Sequence, residues 1–81
     1  MDADRGLVSD AAEGSRKAFD ELVLRYQGQV LNLIGAMTAG DSDSDDLAQE
    51  VFLRAWRGIA RFRSDSTFRT WLFGIAINLV R

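Results

Sequence analysis

The stretch "RKAFDELVLRYQGQVLNLIGAM", residues 16–37, decides the fold. Within it Phe19, Leu22, Val23, Tyr26, Val30, Leu33, Ile34 and Met37 recur at three- and four-residue steps. This is one stripe of a 3.6-residue period, and it predicts a long helix with one face turned to a core. Leu24, Gly28, Leu31 and Gly35 fall on the other side. Glycines there would let a second helix come close, most simply the segment around Leu7 and Val8; ordinary core packing is the blander alternative. The chain has no proline and its periodicity is helical throughout. The expected fold is therefore all-α: a compact bundle of three main helices plus a short N-terminal helix.

Working outwards, a helical turn is expected from Leu7 to Glu13, ending at Gly14-Ser15, with residues 1–5 disordered and the folded domain covering 6–81. After the long helix, "TAGDSDSDD" (38–46) breaks the pattern. Gly40 suits a helix C-cap, and the Ser/Asp run supplies N-caps and negative charge for the next helix start. Asp41, Asp43 and Asp45 also fit the first three ligand positions of a calcium loop, but the sixth position is Asp46 instead of glycine and the twelfth is Phe52 instead of glutamate. No metal site is assigned.

A second long helix is expected from Ser44 to Gly58. At 100° per residue, Leu47, Val51, Phe52, Ala55 and Ile59 share a core face. Asp46, Gln49, Glu50, Leu53 and Arg57 share a narrow arc opposite it. A solvated face would account for the charges, but Leu53 sits in their midst without an internal partner. A hydrophobe ringed by both signs of charge has the pattern of a small interface with a polar rim. The loop "ARFRSDS" (60–66) follows, with Ser66 or Asp65 as the expected N-cap of a last helix. In that helix Phe68, Leu72, Ile75, Ala76 and Leu79 form the buried stripe. Thr67, Thr70, Trp71, Gly74, Asn78 and Arg81 spread over the other side. Phe73, Ile77 and Val80 make a third strip that three helices leave uncovered, so the natural chain is expected to continue past Arg81.

Composition narrows the function. At 81 residues the chain is one small domain, burying roughly 60–65% of its unfolded surface. It has no cysteine for disulfides or thiolate metal sites, and no histidine to act as a general base or ligand. The acidic "MDADRGLVSD" start is unlike a signal peptide, and the longest apolar run, Trp71–Ile77, falls far short of the ~20 residues that cross a bilayer. A soluble, cytoplasmic, non-enzymatic domain without cofactor or small-molecule substrate is expected. The net charge of −2 hides a split: residues 1–50 carry four basic against eleven acidic side chains, residues 51–81 six against one. Such asymmetry points to a polyanion for the basic half.

Six of the eight aromatics (Phe52, Trp56, Phe62, Phe68, Trp71 and Phe73) lie in that basic half. Arginines supply phosphate contacts, and aromatic faces stack on bases that have left a duplex. Polar groups such as Thr70 and Asn78 suit base edges. Phe52 and Phe68 read as core, whereas Trp71 points away from the buried stripe and suits single-stranded or melted DNA.

"DSDDLAQEVFLRAWRGIARFRSDSTFRTWLFGIAINLVR", with "AFDELVLRYQGQVLNLI" before it, closely resembles region 2 of bacterial extracytoplasmic-function (ECF) sigma factors, group IV of the sigma-70 family. The resemblance covers residues 6–81. It implies a sigma region 2-like bundle that directs core RNA polymerase to promoters and opens the −10 element. By the same resemblance, Asp46, Gln49, Glu50 and Leu53 match the surface that grips the β′ clamp helices, with Arg54 and Arg57 beside them. Phe62, Arg63, Ser64, Asp65, Ser66 and Thr67 match the loop that captures a flipped non-template base. Thr70, Trp71 and Asn78 match the melting and recognition helix, and Arg54, Arg57, Arg61 and Arg69 are candidate phosphate contacts. Gly74 and Ile77 depart from the family pattern and are assigned no DNA contact. The domain that binds the −35 element is missing from this chain. An anti-sigma factor is a further expected partner, and a protein-interaction module docking through Phe73, Ile77 and Val80 is the alternative reading. A membrane-surface role for 67–81 is disfavoured, because that face lacks lysines.

Overall fold

The structure, a computed structural model, describes residues 4–40, 43–63 and 65–81. Four α-helices follow in order: α1 Arg5–Ala12, α2 Arg16–Thr38, α3 Ser44–Gly58 and α4 Phe68–Val80. A 3₁₀ turn, Ile59–Arg61, extends α3. The all-α expectation holds for the described residues. α2 packs against each of the other three helices, and α1 also reaches the 3₁₀ turn.

The core follows the apolar stripes. Phe19, Leu22, Val30 and Ile34 of α2 meet Val51, Phe52 and Ala55 of α3, Ile59, and Phe68, Leu72 and Ala76 of α4, all buried. Ile75 and Leu79 are partly buried against this cluster. Met37 departs from the expectation: it lies in the last turn of α2 and stays 39% exposed. The glycines of α2 are not contact points either. A methyl group at Gly28 or Gly35 would meet nothing within 4 Å, so no helix approaches there.

α1 is instead tied on by polar contacts. Asp4, 4% exposed, accepts from Arg25 Nη1 at 2.9 Å and from the Tyr26 hydroxyl. Asp4 and Arg5, expected in a disordered N-terminus, therefore belong to the folded unit: a buried carboxylate is tolerated only when hydrogen-bonded donors compensate its lost hydration. Gly14, at φ 106°, makes the turn into α2, and Ser15 caps that helix by accepting from the Ala18 N–H at 3.1 Å. At the other end Ala39 holds the left-handed C-cap at φ 56°, and the Gly40 N–H closes on the Gly35 carbonyl at 2.9 Å. Gly40 thus follows the cap it was expected to form. Of the calcium-like run, Asp41 lies outside the described residues. Asp43 is the N-cap residue of α3, without a side-chain cap bond, and Asp45 and Asp46 place negative charge in the first turn.

Candidate functional site

Two hollows flank the bundle, and the candidate residues divide between them. The first, about 730 Å³, runs between α2 and α3. Asp46, Gln49, Glu50 and Leu53 line it from α3, and Asp20, Val23, Gln27 and Leu31 line it from α2. Leu53 is 44% exposed, in keeping with a hydrophobe on a polar arc. Its charges are partly matched within the fold. Arg54 Nε lies 3.0 Å from Glu50 Oε2, and Arg16 Nε lies 3.1 Å from Asp20 Oδ1. Arg16 also stands over the Trp56 ring at 5.2 Å, and Trp56 packs on Phe19 at 5.0 Å. Arg57 is exposed in the last turn of α3. The α2 wall of this groove was not anticipated. Its one prior signal was that Leu31 shares a side of α2 with Leu24, outside the core stripe.

The second hollow, also about 730 Å³, lies between α1 and the segment leading into α4. Phe62, Asp65, Ser66 and Thr67 form one side of it. Ser64 lies outside the described residues. Arg61 ends the 3₁₀ turn, Arg63 follows Phe62, and both are exposed. The N-cap of α4 is Thr67, not Ser66 or Asp65. Thr67 is extended (φ −70°, ψ 157°), which lets its Oγ1 accept from the Thr70 N–H at 3.1 Å while donating to Thr70 Oγ1 at 3.0 Å. The loop's hydroxyl therefore also fixes where the helix starts.

Beside this hollow stands an aromatic cluster. Trp71 lies 5.0 Å from Phe62 and 5.8 Å from Phe68, centroid to centroid. A methyl group on Gly58 would come within 3.4 Å of its ring. Trp71 does not point wholly away from the core, as its position on the helix suggested. It is half-buried, one part held by these neighbours and the rest facing solvent. Phe62, expected in the base-capturing loop, joins the two features: it touches Trp71 and lines the hollow. Thr70 and Asn78 are exposed on α4. Arg69 is held on the neighbouring face, its Nε donating to Gln29 Oε1 at 2.9 Å and its guanidinium 4.3 Å above Phe73. Phe73 is thereby half covered, while Ile77 stays 37% exposed. Among the described residues no helix is long and apolar enough to cross a membrane, and no cluster of acidic side chains could hold a metal ion.

With this geometry in place, comparison with known proteins is direct. The family model "Sigma-70 region 2" matches residues 22–81. The chain belongs to the sigma-70 region 2 family. Among curated relatives, this region 2 domain is 42% identical over 81 residues to the RNA polymerase sigma-H factor of Pseudomonas aeruginosa, and 41% identical over 78 residues to the ECF RNA polymerase sigma-E factor of Escherichia coli. It covers 42% and 40% of those proteins, so the chain spans about two-fifths of their length. Among solved structures it superposes on CnrH, solved in complex with the cytosolic domain of CnrY, with a TM-score of 0.89 and 38% identity, over 99% of this chain and 52% of that one. It also matches an engineered region 2 of sigmaE in complex with GTAAAA, with a TM-score of 0.85 and 38% identity, over 96% of this chain and 81% of that one. The helical expectation and the family resemblance agree with these findings.

Proposed function

We propose that this domain is the promoter-recognition part of a bacterial RNA polymerase sigma subunit, held on the polymerase by its α2–α3 groove and opening the −10 element with its α4 side. The observation that carries the reading is the half-buried Trp71. Its ring is braced by Phe62 and Phe68, Phe62 in turn lines the hollow of about 730 Å³, and Arg61 and Arg63 on either side of Phe62 form no ion pair with another described residue. A braced aromatic edge resists displacement, so it can occupy the place of a base pair at the junction of duplex and melted DNA. The freed non-template base turns into the hollow by the 62–67 segment. Extrusion costs a few kcal/mol per base, which stacking and pocket contacts offset. Arg61 and Arg63 neutralise phosphates along the displaced strand, and Thr70 and Asn78 face the bases from α4. The match to an engineered region 2 of sigmaE in complex with GTAAAA supports a nucleic-acid ligand for this domain.

The α2–α3 groove meets the clamp helices of the β′ subunit: Leu53 supplies the apolar centre, and Asp46, Gln49, Glu50, Arg54 and Arg57 the polar rim. An anti-sigma factor is a second partner, favoured by the match to CnrH in its complex with CnrY and by the exposed Ile77. The two occupants separate in a pull-down. Leu53→Asp loses core polymerase, and a partner docked through Ile77 is retained.

The test of the DNA reading is fluorescence anisotropy with labelled single-stranded GTAAAA and a scrambled hexamer. The domain prefers one sequence over its scramble, and Trp71→Ala lowers that affinity by about 1–3 kcal/mol. Equal affinity for both sequences, unchanged in Trp71→Ala, refutes the assignment.

A further inference from the structure

The second hollow has a wall that the loop does not provide. Arg5, Val8, Ser9, Ala12 and Glu13 line it from α1. Their spacing, i, i+3, i+4, i+7 and i+8, is one continuous helical stripe, so α1 and its C-cap Glu13 present one face to Phe62 and residues 65–67. The stripe is chemically graded. Val8 and Ala12, with Phe62 opposite, make an apolar floor, Ser9 adds a hydroxyl, and the two ends carry opposite charges at Arg5 and Glu13. Those ends are eight residues apart, about 12 Å at the helical rise. An apolar floor with a few placed polar groups, in a volume within the roughly 300–1,000 Å³ of small-molecule sites, fits one flat heteroaromatic ring and its sugar-phosphate.

The wall is anchored from outside the hollow. Asp4, one residue before the stripe begins, is bonded to Arg25 and Tyr26 of α2. Gly14, one residue after it ends, makes the turn that leads into the capped start of α2. Glu13 is fixed by its backbone, whose N–H reaches the carbonyls of Ser9 and Asp10 at 3.2 and 3.1 Å. Its carboxylate forms no ion pair with another described residue.

We propose that α1 is the second wall of the base pocket and that Glu13, seconded by Ser9, selects for a captured base bearing an exocyclic amine. The inference rests on the DNA reading above and adds a specificity determinant to it. The chemistry is that of donors and acceptors. An ionised carboxylate only accepts hydrogen bonds, and the hollow presents two, Glu13 from α1 and Asp65 from the loop. Adenine, cytosine and guanine offer an exocyclic amino group to such an acceptor, whereas thymine offers only its N3–H, flanked by two carbonyl oxygens that a carboxylate repels. Arg5, at the far end of the stripe, accounts for the phosphate. Specificity then comes from both sides of the pocket, and the side built on α1 can change without disturbing the segment that starts α4.

The test uses single-stranded GTAAAA and a series in which each base in turn is replaced by an abasic sugar, then by thymine or cytosine. The abasic series locates the captured position as the one whose loss costs most. There the wild-type domain binds the amino-bearing base at least fivefold more tightly than thymine. Glu13→Gln, which keeps shape but adds a donor, brings that ratio below twofold while the other positions keep their ratios. Ser9→Phe fills the hollow and removes the preference at that position alone, and circular dichroism confirms both variants as folded. If wild type prefers GTAAAA over its scramble and both variants keep the wild-type ratio, the α1 wall is refuted and the DNA reading stands. If wild type does not distinguish GTAAAA from its scramble, the DNA reading falls and this inference falls with it.

Discussion

The two hollows have the same volume and treat their charges in opposite ways. The α2–α3 groove is acidic: Asp20, Asp45, Asp46 and Glu50 line it with Arg16, and of these acids Asp20 is paired with Arg16 and Glu50 with Arg54, while Arg16 also covers Trp56. Beside Phe62, which lines the second hollow, Arg61 and Arg63 are exposed and form no ion pair with another described residue. A groove with an apolar centre and an excess of acids suits a protein surface that brings apolar and basic side chains. Arginines left unmatched cost nothing in water and gain only when an external anion arrives, which suits a phosphate chain. The net charge of −2 conceals this, because acids gather at one surface and arginines beside the other.

The severest way to break the comparison is to remove what both regions share. Phe68 is fully buried and touches Tyr26 of α2, Phe62 of the loop and Trp71. Phe68→Ala should cost about 3–5 kcal/mol in urea unfolding, enough to threaten so small a domain. A smaller loss would mean that Phe68 is not central to the core that holds α2, the 62–63 segment and α4 together. Cutting the tether of α1 acts on one region only. Asp4→Ala removes a carboxylate bonded to Arg25 and Tyr26 and should cost about 1–3 kcal/mol. It should weaken recognition of single-stranded DNA while leaving the α2–α3 groove competent for polymerase.

Arg63→Ala sharpens the comparison by salt dependence. The slope of log affinity against log salt for single-stranded DNA should fall by about 0.7 for the lost phosphate contact, with polymerase binding unchanged. The matching substitution Arg54→Ala should leave that slope where it was. The smallest effects come from glycines that touch nothing. Gly28→Ala and Gly74→Ala each add a methyl group in open space within a helix, and each should stabilise the domain by about 0.5–1 kcal/mol in thermal melts. A destabilisation at Gly74 would reveal a contact on α4 that the fold does not display.

What was legible in the sequence was whatever depends on local periodicity. The limits of α2 and α3, the core stripe of α4 and the polar arc around Leu53 follow from spacing along one helix, because each helix buries the same stripe wherever it sits. What failed to show depends on two segments meeting. A helical turn from Leu7 to Glu13 was visible, but nothing local said it would face Phe62 and residues 65–67. Asp4 read as a solvated acid because its partners are more than twenty residues away. The half-burial of Trp71 was hidden for the same reason: Phe62 and Gly58 come to it from the end of α3 and the loop beyond. The cap at Thr67 was missed among neighbouring Ser, Asp and Thr, which all cap well, and only the extended backbone at Thr67 decides between them.

The central claim is that one small bundle carries two separable surfaces, and a crossed binding experiment tests it directly. Leu53→Asp and Trp71→Ala are each assayed for capture of core polymerase and for affinity to single-stranded GTAAAA. Leu53→Asp should lose polymerase at least tenfold and keep the oligonucleotide within twofold; Trp71→Ala should do the reverse. Loss of both ligands by either variant, with circular dichroism showing the fold intact, would contradict the division of labour proposed for the two hollows.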